Sequence, residues 1–163
     1  MVQNSAQKAA PVAGVDDDFQ SAFDAHCSGA LDVVVARYRR VVAGAPDHVD
    51  AWGNLCVAYL ALGRAEEVID AGQRALVIRS DLADLHINLA AALKSLGQLN
   101  EARRALERAI ALQPASVLAH INLGNVLRAA GQADVALEAY GLVGVLALRI
   151  LPPSPIRGWR SRI

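Results

Sequence analysis

Aromatic residues make up only 4% of the 163 residues, cysteine occurs twice, and neither sign of charge is in excess, with 16 Lys+Arg against 16 Asp+Glu. Each shortage excludes something. The apolar content, 54%, is drawn mostly from 32 Ala and 21 Leu, which are helix formers, and this speaks against an all-β fold. Cys27 and Cys56 have no CxxC spacing, which speaks against a disulfide framework or a zinc knuckle and leaves free thiols. Balanced charge removes bulk electrostatic capture of a polyanion. Arg outnumbers Lys 14 to 2, yet the arginines are scattered among acids, whereas a nucleic-acid surface needs them clustered. The longest uncharged apolar run, Leu142 to Leu148, contains Gly144 and is closed by Arg149, well short of the ~20 residues of a spanning helix. The opening MVQNSAQKAAPVAG has one lysine and no apolar core, unlike a signal peptide. The expectation is a cytoplasmic protein with no membrane or nucleic-acid partner and no cofactor.

What the chain does have is a period of 34 residues. That shift lays His86-Ile87-Asn88-Leu89 onto His120-Ile121-Asn122-Leu123, and Leu93, Gly97, Gln98 and Ala102 onto Leu127, Gly131, Gln132 and Ala136. Asn54-Leu55 aligns with Asn88-Leu89, and Gly29, Gly63, Gly97 and Gly131 form a ladder. Within one period, Leu85, Leu89, Ala92, Leu93 and Leu96 recur at helical spacing until Gly97 stops the helix with a residue suited to φ > 0. Ala102, Ala105, Leu106, Ala109 and Ile110 repeat the stripe before Gln113-Pro114 breaks it. One period is a helix–turn–helix hairpin, too small to bury its own apolar faces, so copies must stack.

These residues resemble the tetratricopeptide-repeat signature, whose positions within a 34-residue unit are 4, 7, 8, 11, 20, 24, 27 and 32. Residues 83–116 hold His86, Leu89, Ala90, Leu93, Ala102, Leu106, Ala109 and Pro114 there, departing at the first. Residues 49–82 fit in the first helix (Trp52, Leu55, Cys56, Tyr59) and poorly in the second (Val68, Gly72, Ala75, Ser80). Residues 117–150 fit up to Tyr140, and 15–48 is the weakest copy, with Ala22, Gly29, Tyr38 and Pro46 in place. The resemblance implies an all-α, right-handed superhelix (α-solenoid) of about four hairpins over 15–150, preceded by a disordered segment 1–14 and followed by an irregular Pro/Arg tail, 151–163. Gly72, where a large residue is usual, costs ~1 kcal/mol of helix propensity relative to Ala. Ring contacts are lost there as well, so the helix over 66–79 should be the least protected.

The resemblance further implies that positions 2, 5, 6, 9, 12 and 13 of each first helix line a concave groove. They bring together Asp50, Gly53, Asn54, Val57, Leu60 and Ala61; Asp84, Ile87, Asn88, Ala91, Lys94 and Ser95; and Leu118, Ile121, Asn122, Asn125, Arg128 and Ala129. Asn54, Asn88 and Asn122 share position 6, and a column of amides, each with two donor hydrogens and an acceptor oxygen, can clamp the backbone of an extended peptide. This ladder, with the phrases INLAAALKSLGQLNEA and HINLGNVLRAAGQ, is similar to the repeat region of O-linked N-acetylglucosamine transferases and their bacterial relatives, where it takes up protein substrates. Asn is also a frequent filler at this position. A second subfamily grips a chaperone's C-terminal carboxylates with Lys and Arg; the matching windows here, Phe19, Phe23, Asn54, Asp84 and Asn88, or Gly53, Val57, Asn88, Leu118 and Asn122, contain no base. No catalytic or metal site emerges: His86 and His120 occupy a packing position, His26-Cys27 is merely adjacent, and Gly141-x-x-Gly144 lacks the Lys of a phosphate loop. Asp16-Asp17-Asp18 suits a helix N-terminus.

After Tyr140 the pattern decays, and without a cap helix the last hairpin is expected to expose Leu142, Val145, Leu146 and Leu148. Two readings follow. The chain is a non-catalytic scaffold binding a protein or peptide, with self-association through the uncapped hairpin; or it is a truncated or frame-shifted repeat region of a protein glycosyltransferase.

Overall fold

The computed structural model describes residues 15–27 and 30–150. Segments 1–14 and 151–163, Gly29 of the glycine ladder, and the side chains of Phe23, His26, Cys27 and Leu148 lie outside the described residues. Eight helices make up the described part: α1 (Val15–Cys27), α2 (Leu31–Gly44), α3 (Val49–Ala61), α4 (Ala65–Ile78), α5 (Ala83–Ser95), α6 (Leu99–Leu112), α7 (Val117–Ala129) and α8 (Ala133–Ile150). Both the odd-numbered and the even-numbered helices start 34 residues apart.

The breaks between helices follow from the residues that punctuate them. α3, α5 and α7 each end in the same left-handed turn, with Gly63, Gly97 and Gly131 at φ 70, 75 and 77. Beyond each glycine a backbone N–H returns to the last turn: Arg64 to the Tyr59 carbonyl, Gln98 to Leu93 and Gln132 to Leu127, all at 2.9 Å. α2 and α6 end instead where Pro46 and Pro114 force the preceding Ala45 and Gln113 toward extended backbone, at φ -137 and -135. His48 Nδ1 accepts from the Ala51 N–H, and Ser116 Oγ from Ala119, opening α3 and α7.

Each helix packs on its predecessor and its successor, and in addition α5 touches α3 and α7. Among the described residues the even-numbered helices make no comparable contact with one another, so α3, α5 and α7 form the inner, concave side of the curve. The two sides of the chain are stitched at one recurring point. Trp52 Nε1 donates to the Pro46 carbonyl at 2.8 Å, His120 Nε2 lies 3.0 Å from that of Pro114, and His86 Nε2 lies 3.4 Å from that of Ser80. A carbonyl only accepts, so the imidazoles carry their proton on Nε2 and reproduce the indole N–H. His86 and His120, which depart from the signature, are therefore functional replacements of Trp in this bond. His120 Nδ1 is buried without a partner among the described residues.

Within the hairpins, bulk at position 24 varies inversely with bulk at position 8: Ala22 with Tyr38, Cys56 with Gly72, Ala90 with Leu106, Gly124 with Tyr140. A Cβ on Gly124 would lie 2.4 Å from Tyr140 Cε1, so the ring rests on bare backbone. The gap anticipated at Gly72 does not exist. A Cβ there would lie 2.7 Å from Leu89 Cδ2 and 3.5 Å from Cys56 Sγ, because Leu89 of the next hairpin fills the place of the missing ring. Only the propensity cost remains to weaken α4. Burial pushes the Cys56 thiol up to about 12; its Sγ lies 3.7 Å from the Val68 carbonyl.

At the C-terminal end α8 runs without a break through Gly141 and Gly144, whose absent side chains face open space. Leu142 and Val145 are exposed at 51% and 59%, as anticipated, whereas Leu146 is half-buried. None of the described helices is long and apolar enough to cross a membrane. Among the described residues no three His, Cys, Asp or Glu side chains assemble as a metal cluster.

Candidate functional site

The concave face is built by α3, α5 and α7, whose outer stripe of polar side chains is what remains after the apolar stripe is buried between hairpins. Asp50, Asn54, Val57, Asp84 and Asn88 come together around a hollow of ≈ 320 Å³ between α3 and α5, with Arg79 at its edge. Ile87, expected to line the groove, does not: it is 4% exposed and packs into the core with Ala90 and Ala119. The apolar stripe of α5 is one residue wider than the 34-residue register predicts, and Ile87 belongs to it.

The four asparagines fall into two kinds. Asn54 Nδ2 donates to the Tyr38 hydroxyl at 3.0 Å, across the junction between the first two hairpins. Asn125 Oδ1 accepts from the Tyr140 hydroxyl at 2.7 Å within the last hairpin. Asn88 and Asn122 are half-buried and make no side-chain hydrogen bond among the described residues. The reason is in the register. The residues that occupy Tyr38's position one and two repeats on are Gly72 and Leu106, which carry no hydroxyl. Each of these two amides therefore retains its full capacity of two donor hydrogens and two acceptor lone pairs.

Charge divides the face lengthwise. Asp50 and Asp84 sit in the first turns of α3 and α5, favoured there by the helix N-terminus, while Lys94 and Arg128 occupy the last turns of α5 and α7. Arg79 Nη2 approaches Asp50 at 3.7 Å and Arg79 Nε approaches Asp81 at 4.0 Å, both solvent-exposed pairs. Lys94 and Arg128 are exposed and have no carboxylate partner among the described residues. All eight of these polar residues are named by the register of the sequence as groove-lining; which of them are already engaged is not, since the tyrosine partners come from other helices.

The His86 ring, beside this face in α5, titrates below the ordinary histidine range, because burial disfavours its cation and Arg108 repels it, partly offset by the bond to the Ser80 carbonyl. Glu67 is held below the usual carboxylate range by its hydrogen bond from Arg64.

Residues 35–83 match a family model described as tetratricopeptide repeat, and residues 90–131 one described as TPR repeat. No curated protein matches the chain significantly. Among solved structures the chain is similar to the crystal structure of MamA, with 20% identity, 83% of this chain and 79% of that chain covered, and a TM-score of 0.79. MamA residues 41 to the end from Desulfovibrio magneticus RS-1 gives 17% identity, coverages of 85% and 78%, and a TM-score of 0.82. The first TPR of Spaghetti (RPAP3) bound to the HSP90 peptide SRMEEVD gives 19% identity, coverages of 72% and 93%, and a TM-score of 0.69. The two family matches together span more than half of the chain, and with these neighbours they make it an all-α solenoid of tetratricopeptide repeats.

Proposed function

We propose that this chain is a non-catalytic interaction scaffold whose concave face takes an extended segment of a partner protein. The observation that carries this is the pair Asn88 and Asn122: same register, same face, half-buried, and both amides uncommitted where Asn54 is tied to Tyr38. An amide that is partly desolvated and unpaired gains by exchanging hydrogen bonds with a peptide backbone, which supplies one donor and one acceptor per residue. Recognition of this kind reads extended backbone before side chains. Asn54 and Asn125 then act through their remaining donors and acceptors, and Asp50, Asp84, Lys94 and Arg128 set the direction of the bound segment by charge. The RPAP3 repeat domain, similar in fold, is solved with a peptide, which supports peptide uptake by this architecture. The likeness to glycosyltransferase repeats rests on the asparagine ladder and its flanking phrases, and adds to the same reading a substrate-recruiting role.

The test is a displayed-peptide selection against the full chain, followed by affinity measurement of the selected peptides. Asn88→Ala with Asn122→Ala should weaken them by about tenfold or more, since each lost hydrogen bond contributes roughly 0.5–1.5 kcal/mol. Methylation of single backbone nitrogens in the peptide should weaken it comparably. Full affinity in the double variant would contradict the proposal.

A further inference from the structure

A hollow of ≈ 590 Å³ lies on the opposite, outer side, between α2, α3 and α4. The same register two repeats later forms a second hollow, ≈ 330 Å³, between α6, α7 and α8. Comparing the two by the 68-residue shift isolates what the repeat does not require. Arg39 becomes Glu107, Trp52 becomes His120, Tyr59 becomes Leu127, Arg64 becomes Gln132 and Arg74 becomes Leu142. Leu55 and Ala71, by contrast, remain Leu123 and Ala139. Of these two hollows both keep the apolar wall, and the cationic and aromatic lining belongs to the first.

That lining is pre-set. The Arg64 guanidinium lies 4.9 Å from the Tyr59 ring centre and donates to Glu67 Oε1, from Nε at 2.8 Å. The Arg74 guanidinium lies 5.2 Å from the Trp52 ring centre, and its Nε alone reaches both oxygens of Asp70, at 3.2 and 3.1 Å. Stacking and pairing fix both forks while leaving the Arg74 Nη groups without a partner among the described residues. Arg39 makes no ion pair or hydrogen bond among them at all. With Glu67 and Asp70 engaged by their own arginines, the hollow presents uncommitted guanidinium donors above an apolar wall of Val42, Leu55 and Ala71.

We propose that this hollow is a second binding site, independent of the concave face, that takes an acidic peptide segment: carboxylate side chains on Arg39 and Arg74, with an apolar residue between them on the wall. A guanidinium fork matches a carboxylate in two hydrogen bonds. Bases of a nucleic acid fit poorly, because the ring faces they would stack on are already covered by arginine and two carboxylates line the same space.

The experiment uses the full chain with Trp159→Phe, which leaves Trp52 as the one tryptophan of the two. The capped peptide DELEE should change Trp52 fluorescence saturably, and its uncharged counterpart NQLQQ should not. Arg39→Gln with Arg74→Gln should raise Kd at least tenfold, while the thermal melt falls only by the small contribution of the exposed Arg74 contacts to Asp70 and Trp52. Asn88→Ala with Asn122→Ala should leave Kd within twofold, which separates this site from the concave one. No saturation at millimolar peptide, equal binding of NQLQQ, or an unchanged Kd in the arginine variant overturns the proposal. So does loss of the DELEE signal at inorganic phosphate concentrations no higher than that of the peptide, which would make it a simple anion site.

Discussion

Gly124→Ala opposes two effects of known sign at one position. In the interior of α7 the substitution gains about 0.8–1.0 kcal/mol of helix propensity. The new Cβ, however, lands 2.4, 2.6 and 2.8 Å from Tyr140 Cε1, Cζ and Cδ1, so the ring must retreat by roughly 1 Å to reach ordinary contact. Retreat is resisted at the far end of the side chain, where the Tyr140 hydroxyl donates to Asn125 at 2.7 Å. Overpacking typically costs 1–3 kcal/mol, and a lost hydrogen bond about 1 kcal/mol more. The expected net is a destabilisation of about 1–3 kcal/mol, read as a lower urea midpoint by circular dichroism at unchanged m. The adjacent repeat supplies the control, since it carries Ala90 with Leu106 at the same register. Tyr140→Leu in the Gly124→Ala background should therefore lose less than the sum of the two single changes, by at least about 0.5 kcal/mol. A Gly124→Ala chain as stable as the parent, or strict additivity in the cycle, would refute the argument that ring and backbone are matched.

Three further outcomes follow from the same geometry. Gly144→Ala, in open space on α8, should stabilise by roughly 0.5–1 kcal/mol, whereas Gly97→Ala, at φ 75, should destabilise by roughly 1 kcal/mol despite equally open surroundings; chemical denaturation of both checks the contrast. His86 titrates below its unfolded value of about 6.5, so the unfolded chain takes up the proton first. Its contribution is present above that value and is lost as pH falls through the folded pKa, so thermal stability should drop as pH falls below about 6.5, and His86→Gln should flatten that part of the profile. Cys56, at about 12, should resist thiol reagents at pH 8 in a Cys27→Ser chain until denaturant is added; rapid labelling of the native protein would contradict its burial.

Much of this architecture is written in the sequence as period. The His-Ile-Asn-Leu phrases and the glycine ladder give the register, and the left-handed turns at Gly63, Gly97 and Gly131 are its direct physical consequence. Register does not name partners across helices. Tyr38 reaches Asn54 in the next hairpin while Tyr140 reaches Asn125 in its own, although both occupy position 24. Which asparagine the hydroxyl meets depends on pairs of residues rather than on single positions. For the same reason Gly72 reads as a gap until Leu89 is seen to fill it, and Ile87 reads as groove-lining until its burial shows a wider apolar stripe. The imidazoles of His86 and His120 are legible afterwards as N–H donors to a carbonyl six residues back, a rule the Trp52 copy already contains.

Peptide uptake on the concave face is read from the side-chain amide resonances of the asparagines in the nitrogen-15-labelled chain, titrated with a peptide selected against it. The Asn88 and Asn122 amides should shift most and Asn54 less, because Asn54 already donates to Tyr38. Shifts confined to residues outside the concave face, with Asn88 and Asn122 unmoved at saturation, would contradict that uptake.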